Sequence, residues 1–407
     1  MKRILTLSCM AAALLTLAAC NPKKKAVSEQ APWSVRMAES EMIRNPDASH
    51  LDFVKSKKWN YTNGLVCEAF LDLYDRTGDE RYFTYAKNYA DSMILDNGEI
   101  LTYRLSNYNI DHVNPGKFLL RVYDKAPEAK YKIALDTLRA QLKTHPRTSE
   151  GGFWHKKIYP HQMWLDGIYM GDVYYAQYVS RYGDSTGFDD VVKQFLLAAR
   201  HTYDPSNGLY RHAWDESKSQ KWADPTTGQA PHAWGRAMGW YGMAIVDALE
   251  YIPENQPGRD SMIRILQDMC ETLVKMQDPE TGGWYQVLDL SGEHGNYIET
   301  TCTSMFTNIF LKGVRKGYLD PKFRDYAKKA YDGLIQNFVT VDDEGVVSLT
   351  RCCAVAGLGG NPYRDGSYEY YIGETIRDND PKGVGPFIMA SLEMEALEGN
   401  GATTDAK

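Results

Sequence analysis

The sequence of 407 residues lacks the features that mark several common classes of protein. Its one long apolar stretch, residues 4–19, is too short to span a bilayer, and no later segment resembles a transmembrane helix. Apart from three lysines at 23–25 its basic residues do not cluster, and it carries a net charge of −7, which argues against nucleic acid and anionic membranes as partners. Strand-like alternation is scarce, with Val339 to Leu349 as the best case, so an all-β fold is not expected.

Motifs for metals and cofactors are missing as well. No spacing of cysteine and histidine resembles a zinc site, and Gly357 to Gly360 lacks the strand-to-helix context of a phosphate-binding loop. We therefore expect no metal and no cofactor. Once Cys9 and Cys20 are assigned to the N-terminal segment, an odd number of cysteines remains, so at least one thiol is free. These cysteines are Cys67, Cys270, Cys302, Cys352 and Cys353.

The N-terminal segment has the pattern of a secretion signal. Basic residues precede the apolar residues 4–19, and the sequence Leu-Ala-Ala-Cys that ends at Cys20 resembles a bacterial lipobox. We predict that residues 1–19 form a lipoprotein signal peptide, that Cys20 is lipidated, and that residues 20–32 form a flexible tether. The protein would then be held in the periplasm or at the cell surface, with this lipid anchor as its one attachment to the membrane. The alternative is an ordinary cleaved signal peptide with a coincidental cysteine.

Apolar residues recur at spacings of three and four along most of the chain, which predicts about twelve helices. These helices cover roughly residues 33–46, 61–77, 79–96, 115–124, 127–143, 165–182, 187–203, 234–252, 258–278, 299–316, 321–338 and 383–399. Short turns such as Thr77-Gly78-Asp79, in which glycine ends one helix and aspartate caps the next, alternate with long loops. This alternation makes helical hairpins and places every long loop at one end of the bundle.

Six such hairpins in a ring form an all-α (α/α)6 toroid. We predict this fold as a single domain over residues 33–400, with the long loops forming the active-site cleft. An open α-solenoid is the alternative, but there is no fixed repeat period and there are no capping repeats. Several residues lie at or just before the first helix of a hairpin and would meet at one mouth, namely Tyr61, Asp111, Asp166, Arg236 and Glu299. Helix N-termini carry partial positive charge, so this mouth favours an anionic ligand.

Two aspartates at this mouth are candidates for acid/base chemistry. Asp166 follows Trp164 where a tryptophan-rich loop turns into a helix, and a carboxylate shielded from water in this way can act as a general acid or base. Asp111 is one hairpin away in sequence, and two close carboxylates repel, which favours a proton on one of them to higher pH. The field of the helix N-termini opposes this effect because it favours the ionised form. The alternative for Asp166 is a helix-capping role, which is common for aspartate at helix starts.

His212 lies in the next long loop, and Arg236 and Trp240 follow that loop. Arg236 and Trp240 are four residues apart and share one helix face. The guanidinium can bind a carboxylate with two hydrogen bonds, and the indole can stack on a sugar ring. The alternative is a structural arginine that packs with a core tryptophan.

Three segments that carry these residues resemble the unsaturated rhamnogalacturonyl hydrolases of glycoside hydrolase family 105, and more distantly the unsaturated glucuronyl hydrolases. The segments are Asn109–Lys117, Met163–Gly171 and Trp234–Trp240, and the resemblance extends over residues 59–397. It implies an (α/α)6 toroid in which Asp166 acts as general acid and then base beside Asp111. It also implies substrate contacts at Trp164, His212, Arg236, Trp240 and, on a looser match, Tyr61.

The reaction implied by this resemblance releases a 4,5-unsaturated uronic acid from the non-reducing end of oligosaccharides that polysaccharide lyases leave. Galacturonyl-rhamnose from the rhamnogalacturonan of pectin is the expected type of substrate. Residues 351–386 match the family poorly, so products of glycosaminoglycan or ulvan type are the alternative substrates. The alternative from another class is a surface lipoprotein that binds glycans without catalysis.

Overall fold

Six helices lie side by side in a ring in the computed structural model, which describes residues 26–183 and 187–401. In chain order the helices are α1 (Trp33–Arg44), α2 (Tyr61–Thr77), α3 (Glu80–Met93), α4 (Gly116–Lys125), α5 (Ala129–Thr144), α6 (Leu165–Gly167), α7 (Val173–Tyr182), α8 (Gly187–Thr202), α9 (Gly235–Ala248), α10 (Arg259–Met276), α11 (Thr300–Arg315), α12 (Phe323–Asn337), α13 (Tyr368–Gly373) and α14 (Pro381–Gly401). The π-helical segment Ile168–Asp172 joins α6 and α7 into one helix. The inner ring consists of α2, α4, the α6–α7 helix, α9, α11 and α14, and each packs against the next.

The ring closes because α14, the last inner helix, packs against both α11 and α2. The outer partner of α14 is α1, the first helix of the chain. Glu395 on α14 fastens the two, since it accepts hydrogen bonds from the Ser34 backbone N–H at 3.0 Å and from the Ser34 hydroxyl at 2.7 Å. The sixth hairpin is thus formed by the two ends of the domain. The predicted closed toroid is confirmed, and the open solenoid is excluded.

Close approach of neighbouring inner helices explains two glycines in α9. A Cβ atom at Gly239 would lie 2.6 Å from the sulfur of Met305, and one at Gly242 would lie 2.5 Å from Cδ1 of Ile309 on α11. Glycine inside a helix costs about 1 kcal/mol relative to alanine. Here the packing of large α11 side chains against bare backbone offsets that cost.

The strands are short and occur only in pairs within the described residues. They are β1 (Gln162–Trp164), β2 (Tyr203–Asp204), β3 (Leu209–Tyr210), β4 (Ala213–Asp215), β5 (Val339–Val341), β6 (Val347–Leu349), β7 (Cys352–Cys353) and β8 (Ile376–Arg377). The antiparallel pairs are β1–β4, β2–β3, β5–β6 and β7–β8. The predicted strand region from Val339 to Leu349 is the β5–β6 hairpin. The π-helical segment and the short helix α13 were not predicted, because both depend on local hydrogen bonding that periodicity does not show.

The β1–β4 pair holds two long loops together directly above the start of α6. Trp164 is paired with Ala213 in the register of the two strands. The N–H of Leu165, the first residue of α6, donates to the carbonyl of His212 at 3.1 Å. These backbone contacts bring the loop that contains His212 to the helix start that carries Asp166.

Residues 26–32, the described part of the predicted tether, lie against the domain. Val27 is fully buried, and its N–H donates to the Glu344 carbonyl at 3.3 Å. The predicted signal peptide and Cys20 lie outside the described residues. In the part of the chain that the structure describes, no helix is both long enough and apolar enough to cross a membrane. The five cysteines predicted to remain in the domain are all buried and carry free thiols.

Ion pairs fill the end of the ring opposite to the helix starts. Lys312 on α11 lies 2.6 Å from an oxygen of Asp247 on α9, and Arg121 on α4 lies 2.7 Å from an oxygen of Asp72 on α2. These groups surround a cavity of about 690 Å³ whose acidic and basic side chains mostly pair with one another. Because these side chains pair with one another, the charges at this end stabilise the ring and are not available to bind a ligand.

Lys117 is a buried cation in the wall of the ring. Its Nζ lies 3.2 Å from Glu68 Oε2 on α2 and 3.5 Å from the centre of the Tyr169 ring in the π-helical segment. Burial lowers the pKa of Lys117 and raises the pKa of Glu68, because removal from water disfavours both charged forms. The two groups depend on each other, since either one alone would be an unpaired buried charge.

We expect the substitution Lys117→Met to lower the free energy of unfolding by about 3–5 kcal/mol, because it leaves Glu68 buried without a partner. Urea unfolding followed by tryptophan fluorescence measures this change. The double variant with Glu68→Gln should recover part of the loss. Lys132→Met is the matched control, since its partially exposed pair with Asp136 contributes about 0–1 kcal/mol. Equal effects of Lys117→Met and Lys132→Met would show that the buried pair does not stabilise the ring.

Candidate active site

A cavity of about 250 Å³ opens at the end of the ring where the inner helices begin. Four residues predicted from the sequence line it, namely Tyr61, Asp111, Trp164 and Asp166. Its volume is near the lower limit of the usual range for ligand sites, about 300–1,000 Å³. The cavity can therefore enclose one end of an oligosaccharide while the rest stays outside.

Asp111 is held by two basic side chains. It lies in the 3₁₀ turn Ile110–His112 just before α4, with Oδ2 2.6 Å from Lys156 Nζ and Oδ1 3.3 Å from His155 Nε2. Burial by itself would raise the pKa of Asp111, but Lys156 and His155 outweigh burial and hold the pKa below its ordinary value. Asp111 is therefore an ionised carboxylate with a fixed orientation.

Asp166 has a different environment. It lies in the first turn of α6, where Trp164 occupies the capping position and no side chain caps the helix, so the capping alternative is not observed. Asp166 Oδ2 lies 3.4 Å from His212 Nε2 and makes no hydrogen bond within the described residues. No lysine or arginine in the described ranges forms an ion pair with it. Of the three carboxylates that line the cavity, Asp52 and Asp111 thus have cationic partners and Asp166 has none in the described ranges.

A buried tyrosine orients His212. The side chains of His212 and Tyr371 are fully buried, and the Tyr371 hydroxyl lies 2.7 Å from His212 Nδ1. Burial raises the pKa of Tyr371 well above its ordinary value, so the hydroxyl keeps its proton. When this hydroxyl donates to Nδ1, the hydrogen of a neutral His212 ring lies on Nε2, the nitrogen that faces Asp166. His212 itself does not line the cavity, but it contacts Asp166, which does.

Trp164 forms the aromatic wall of the cavity. Its indole stacks on His155 with ring centres 4.6 Å apart and on Tyr159 with ring centres 5.1 Å apart. The indole N–H donates to Gln162 Oε1 at 3.0 Å, which fixes the ring. Because His155 contacts Asp111 and Trp164 directly precedes the helix of Asp166, one rigid stack positions both carboxylates.

Arg236 and Trp240 support the cavity but do not line it. Arg236 is 1% exposed, and its Nη1 donates to the Cys353 carbonyl at 2.6 Å. Trp240 is also 1% exposed and stacks on Tyr169, with ring centres 4.8 Å apart. Its other neighbour is Tyr61, whose ring meets it edge-on at 6.2 Å and does line the cavity. The structure therefore places the arginine and the tryptophan as packing partners, with Tyr61 between Trp240 and the cavity.

Glu299 caps the start of α11. Its carboxylate accepts hydrogen bonds from the backbone N–H groups of Thr301 at 3.1 Å and Cys302 at 2.8 Å. It also accepts one from the N–H of Cys353 at 2.8 Å. Glu299 thus fastens the last long loop to the ring, and it does not line the cavity.

The residues of the cavity wall that were not predicted include His155, Lys156, Tyr159 and Arg364. Three of them belong to the loop at 144–164, namely His155, Lys156 and Tyr159. The alternation of short turns and long loops predicts that this loop lies at the mouth, and this was the one signal in the sequence that could have found them. Arg364 belongs to the last loop, where no pattern indicated which residue would reach the cavity.

The arrangement is suited to proton transfer. Within residues 26–183 and 187–401, no group of three or more His, Cys, Asp or Glu side chains is placed to hold a metal ion. The cavity instead combines an ionised Asp111, an Asp166 without a cationic partner, and the cations Lys58, Lys156 and Arg364. Two carboxylates in one cavity, one beside a lysine and one without a cationic partner, are suited to general acid/base catalysis.

Comparison with known proteins shows what this chain is similar to. Residues 33–398 match the family described as Glycosyl Hydrolase Family 88. A glycoside hydrolase of family 105 from C. acetobutylicum ATCC 824 is 44% identical with a TM-score of 0.87, over 90% of this chain and 100% of that chain. The unsaturated rhamnogalacturonyl hydrolase YesR of Bacillus subtilis (strain 168) is 25% identical over 317 residues, 76% of this chain and 84% of that protein. The unsaturated glucuronyl hydrolase of Bacillus sp. GL1 shares the fold, with a TM-score of 0.65 at 16% identity over 89% of this chain and 95% of that chain.

We expect the ring of His155 to stay neutral when the pH is lowered from 7 to 5, because burial lowers its pKa from 6.5 to about 4. NMR titration of labelled histidine rings tests this, with His155→Gln assigning the signal. The stability contributed by the neutral ring is fully present above pH 6.5 and is lost as the pH falls towards about 4. The difference in free energy of unfolding between the wild type and His155→Gln should therefore shrink across that window. Titration of His155 near pH 6.5 would contradict the prediction.

Proposed function

This chain matches the model described as Glycosyl Hydrolase Family 88 and belongs with the glycoside hydrolases of family 105, and we propose that it removes a 4,5-unsaturated uronic acid from the non-reducing end of oligosaccharides. The observation that carries the proposal is the pair of carboxylates in one small cavity, one paired with Lys156 and the other without a cation. The chain is a glycoside hydrolase, so a lipoprotein that only binds glycans is set aside.

Asp166 is the proton donor of the proposed reaction. It protonates C4 of the substrate's vinyl ether, and positive charge develops at C5 and the ring oxygen. The ionised Asp111 lies in the same cavity and stabilises that charge. Asp166, now a carboxylate, then accepts a proton from the water that adds at C5.

The product of this addition is a hemiketal, which opens and expels the remaining sugar chain. No covalent bond forms between the enzyme and the sugar. The separation of the two carboxylates therefore does not report a retaining or an inverting mechanism, as it does for ordinary glycosidases. His212 Nε2, which faces Asp166, stabilises the carboxylate form of Asp166 between the two proton transfers.

The leaving sugar that we favour is rhamnose, as in rhamnogalacturonan fragments of pectin. The support for this choice is the similarity to YesR, whose description names that activity. Products of glycosaminoglycan or ulvan type are the second candidates, supported by the likeness of the fold to an unsaturated glucuronyl hydrolase. We also propose that the enzyme is a bacterial lipoprotein anchored through Cys20 in the periplasm or at the cell surface, from the lipobox-like sequence that ends at this cysteine.

We expect the purified enzyme to abolish the ultraviolet absorbance of lyase-digested rhamnogalacturonan, because hydration removes the conjugated double bond. The same assay with lyase products of glycosaminoglycan and ulvan types ranks the leaving sugars. The heat-inactivated enzyme is the control. If every one of these products keeps its absorbance, the proposed reaction is wrong.

We expect Asp166→Asn to lower kcat by about 10²–10⁴-fold, because an amide cannot donate the proton, while the Kd for the disaccharide changes little. Absorbance kinetics and calorimetric titration measure the two quantities. Asp332→Asn is the matched control, since Asp332 is exposed on the outer helix α12 and, among the described residues, pairs only with Lys328. Retention of wild-type kcat by Asp166→Asn would remove Asp166 from the mechanism.

A further inference from the structure

The cations that reach the cavity differ from the arginine expected to bind the uronate. Arg236 is 1% exposed and is absent from the cavity wall. The cations in the wall are Lys58, Lys156 and Arg364. Lys156 is already neutralised by Asp111, with Nζ and Oδ2 2.6 Å apart. A carboxylate in the substrate therefore has two candidate partners, Lys58 and Arg364.

Of these two, Arg364 is held rigidly. Its Nε donates to the Gly359 carbonyl at 2.9 Å, and its Nη2 donates to the Leu358 carbonyl at 3.1 Å and to the Tyr159 hydroxyl at 2.9 Å. Its Nη1 makes no hydrogen bond with any described residue. Lys58, by contrast, is exposed and forms no ion pair in the described part of the chain, so its flexible ammonium group gains little from a contact in water.

The loop around Arg364 is shaped to admit the guanidinium. A Cβ atom at Gly357 would lie 2.3 Å from Arg364 Nη1, so any other residue at this position would displace the group. The Tyr159 hydroxyl accepts the Nη2 hydrogen bond, and the Tyr159 ring stacks on Trp164, which directly precedes the helix of Asp166. Arg364 is thus connected to the wall that carries the proposed proton donor.

We infer that Arg364 is the residue that recognises an anionic group of the substrate, through the free N–H groups of Nη1. This inference rests on the proposed function, since it assumes an acidic sugar in the cavity. The anion is a carboxylate, either that of the unsaturated uronate itself or that of an acidic sugar next to it. A fixed guanidinium binds such a group at a low entropic cost, because its geometry is set before the ligand arrives.

The test compares the wild type with Arg364→Gln and Arg364→Lys in the full chain, using an unsaturated uronyl-rhamnose disaccharide, its methyl ester, and an unsaturated uronyl disaccharide whose second sugar is a uronic acid. Loss of a hydrogen bond to a charged group should raise KM for the free acid by about 10- to 100-fold in Arg364→Gln. KM for the methyl ester should be nearly the same in the wild type and this variant. Arg364→Lys should restore part of the loss. Arg264→Gln, on the outer helix α10, is the matched control and should leave KM unchanged.

The pattern across substrates identifies the anion. A loss with both free acids assigns Arg364 to the unsaturated uronate, and a loss with the acidic second sugar alone assigns it to the leaving group. An equal loss for the free acid and its methyl ester would show that Arg364 only holds the loop, and this result overturns the inference. An unchanged KM of Arg364→Gln for both free acids would overturn it as well. Melting temperatures identify any variant that is unfolded. If Arg364→Gln is unfolded, the same comparison of substrates is made with Arg364→Lys.

A second measurement separates this inference from the proposed function. Calorimetric titration of the same disaccharides into Asp166→Asn, with and without Arg364→Gln, measures the Kd in the absence of turnover. If the wild type hydrolyses none of them, the proposed function fails, and Arg364 is still judged by its effect on Kd for the free acid relative to the ester. If neither the wild type nor Asp166→Asn binds any of the disaccharides, both the function and the role of Arg364 are wrong.

Discussion

The packing of α14 between α11 and α2 is the contact on which the remaining structure depends. It closes the ring, and a closed ring of inner helices has all its helix starts at one end. The residues before and within the first turns are then forced into a small volume. Asp111 precedes α4 and Asp166 begins the next inner helix, so neighbouring hairpins bring the two carboxylates to one cavity.

Buried charged groups in the ring wall form ion pairs, whereas, among the described residues, one carboxylate at the site does not. Lys117 forms an ion pair with Glu68 in the ring wall, and Lys312 forms one with Asp247 at the far end of the ring, so these charges neutralise each other. In the cavity Asp111 follows the same rule through Lys156, but Asp166 does not. Asp172 is also without an ion pair in the described part of the chain, but it is fully buried, and burial raises its pKa well above the ordinary value. Asp166 differs from it because it lines a cavity that a ligand can enter, which makes it a candidate functional group.

The last long loop completes the site. Cys353 in this loop binds Arg236 through its carbonyl and Glu299 through its N–H, while Tyr371 orients His212. Arg364 reaches the cavity wall from the same loop. A segment that both supports the proton-transfer residues and faces the substrate can change the preferred sugar without altering the ring.

The helical ring and its mouth were determined by the sequence itself, because apolar periodicity and turns such as Gly78-Asp79 are local signals that also set the direction of each hairpin. They placed Asp111 and Asp166 together before any contact was known. The tertiary structure alone decided that Arg236 packs inside, since sharing a helix face with Trp240 does not say which neighbour that face meets. It also decided the contacts of the last loop. The partners His212 and Tyr371 are 159 residues apart, and Tyr159 and Arg364 are 205 apart, in loops without periodicity, so no local pattern could pair them.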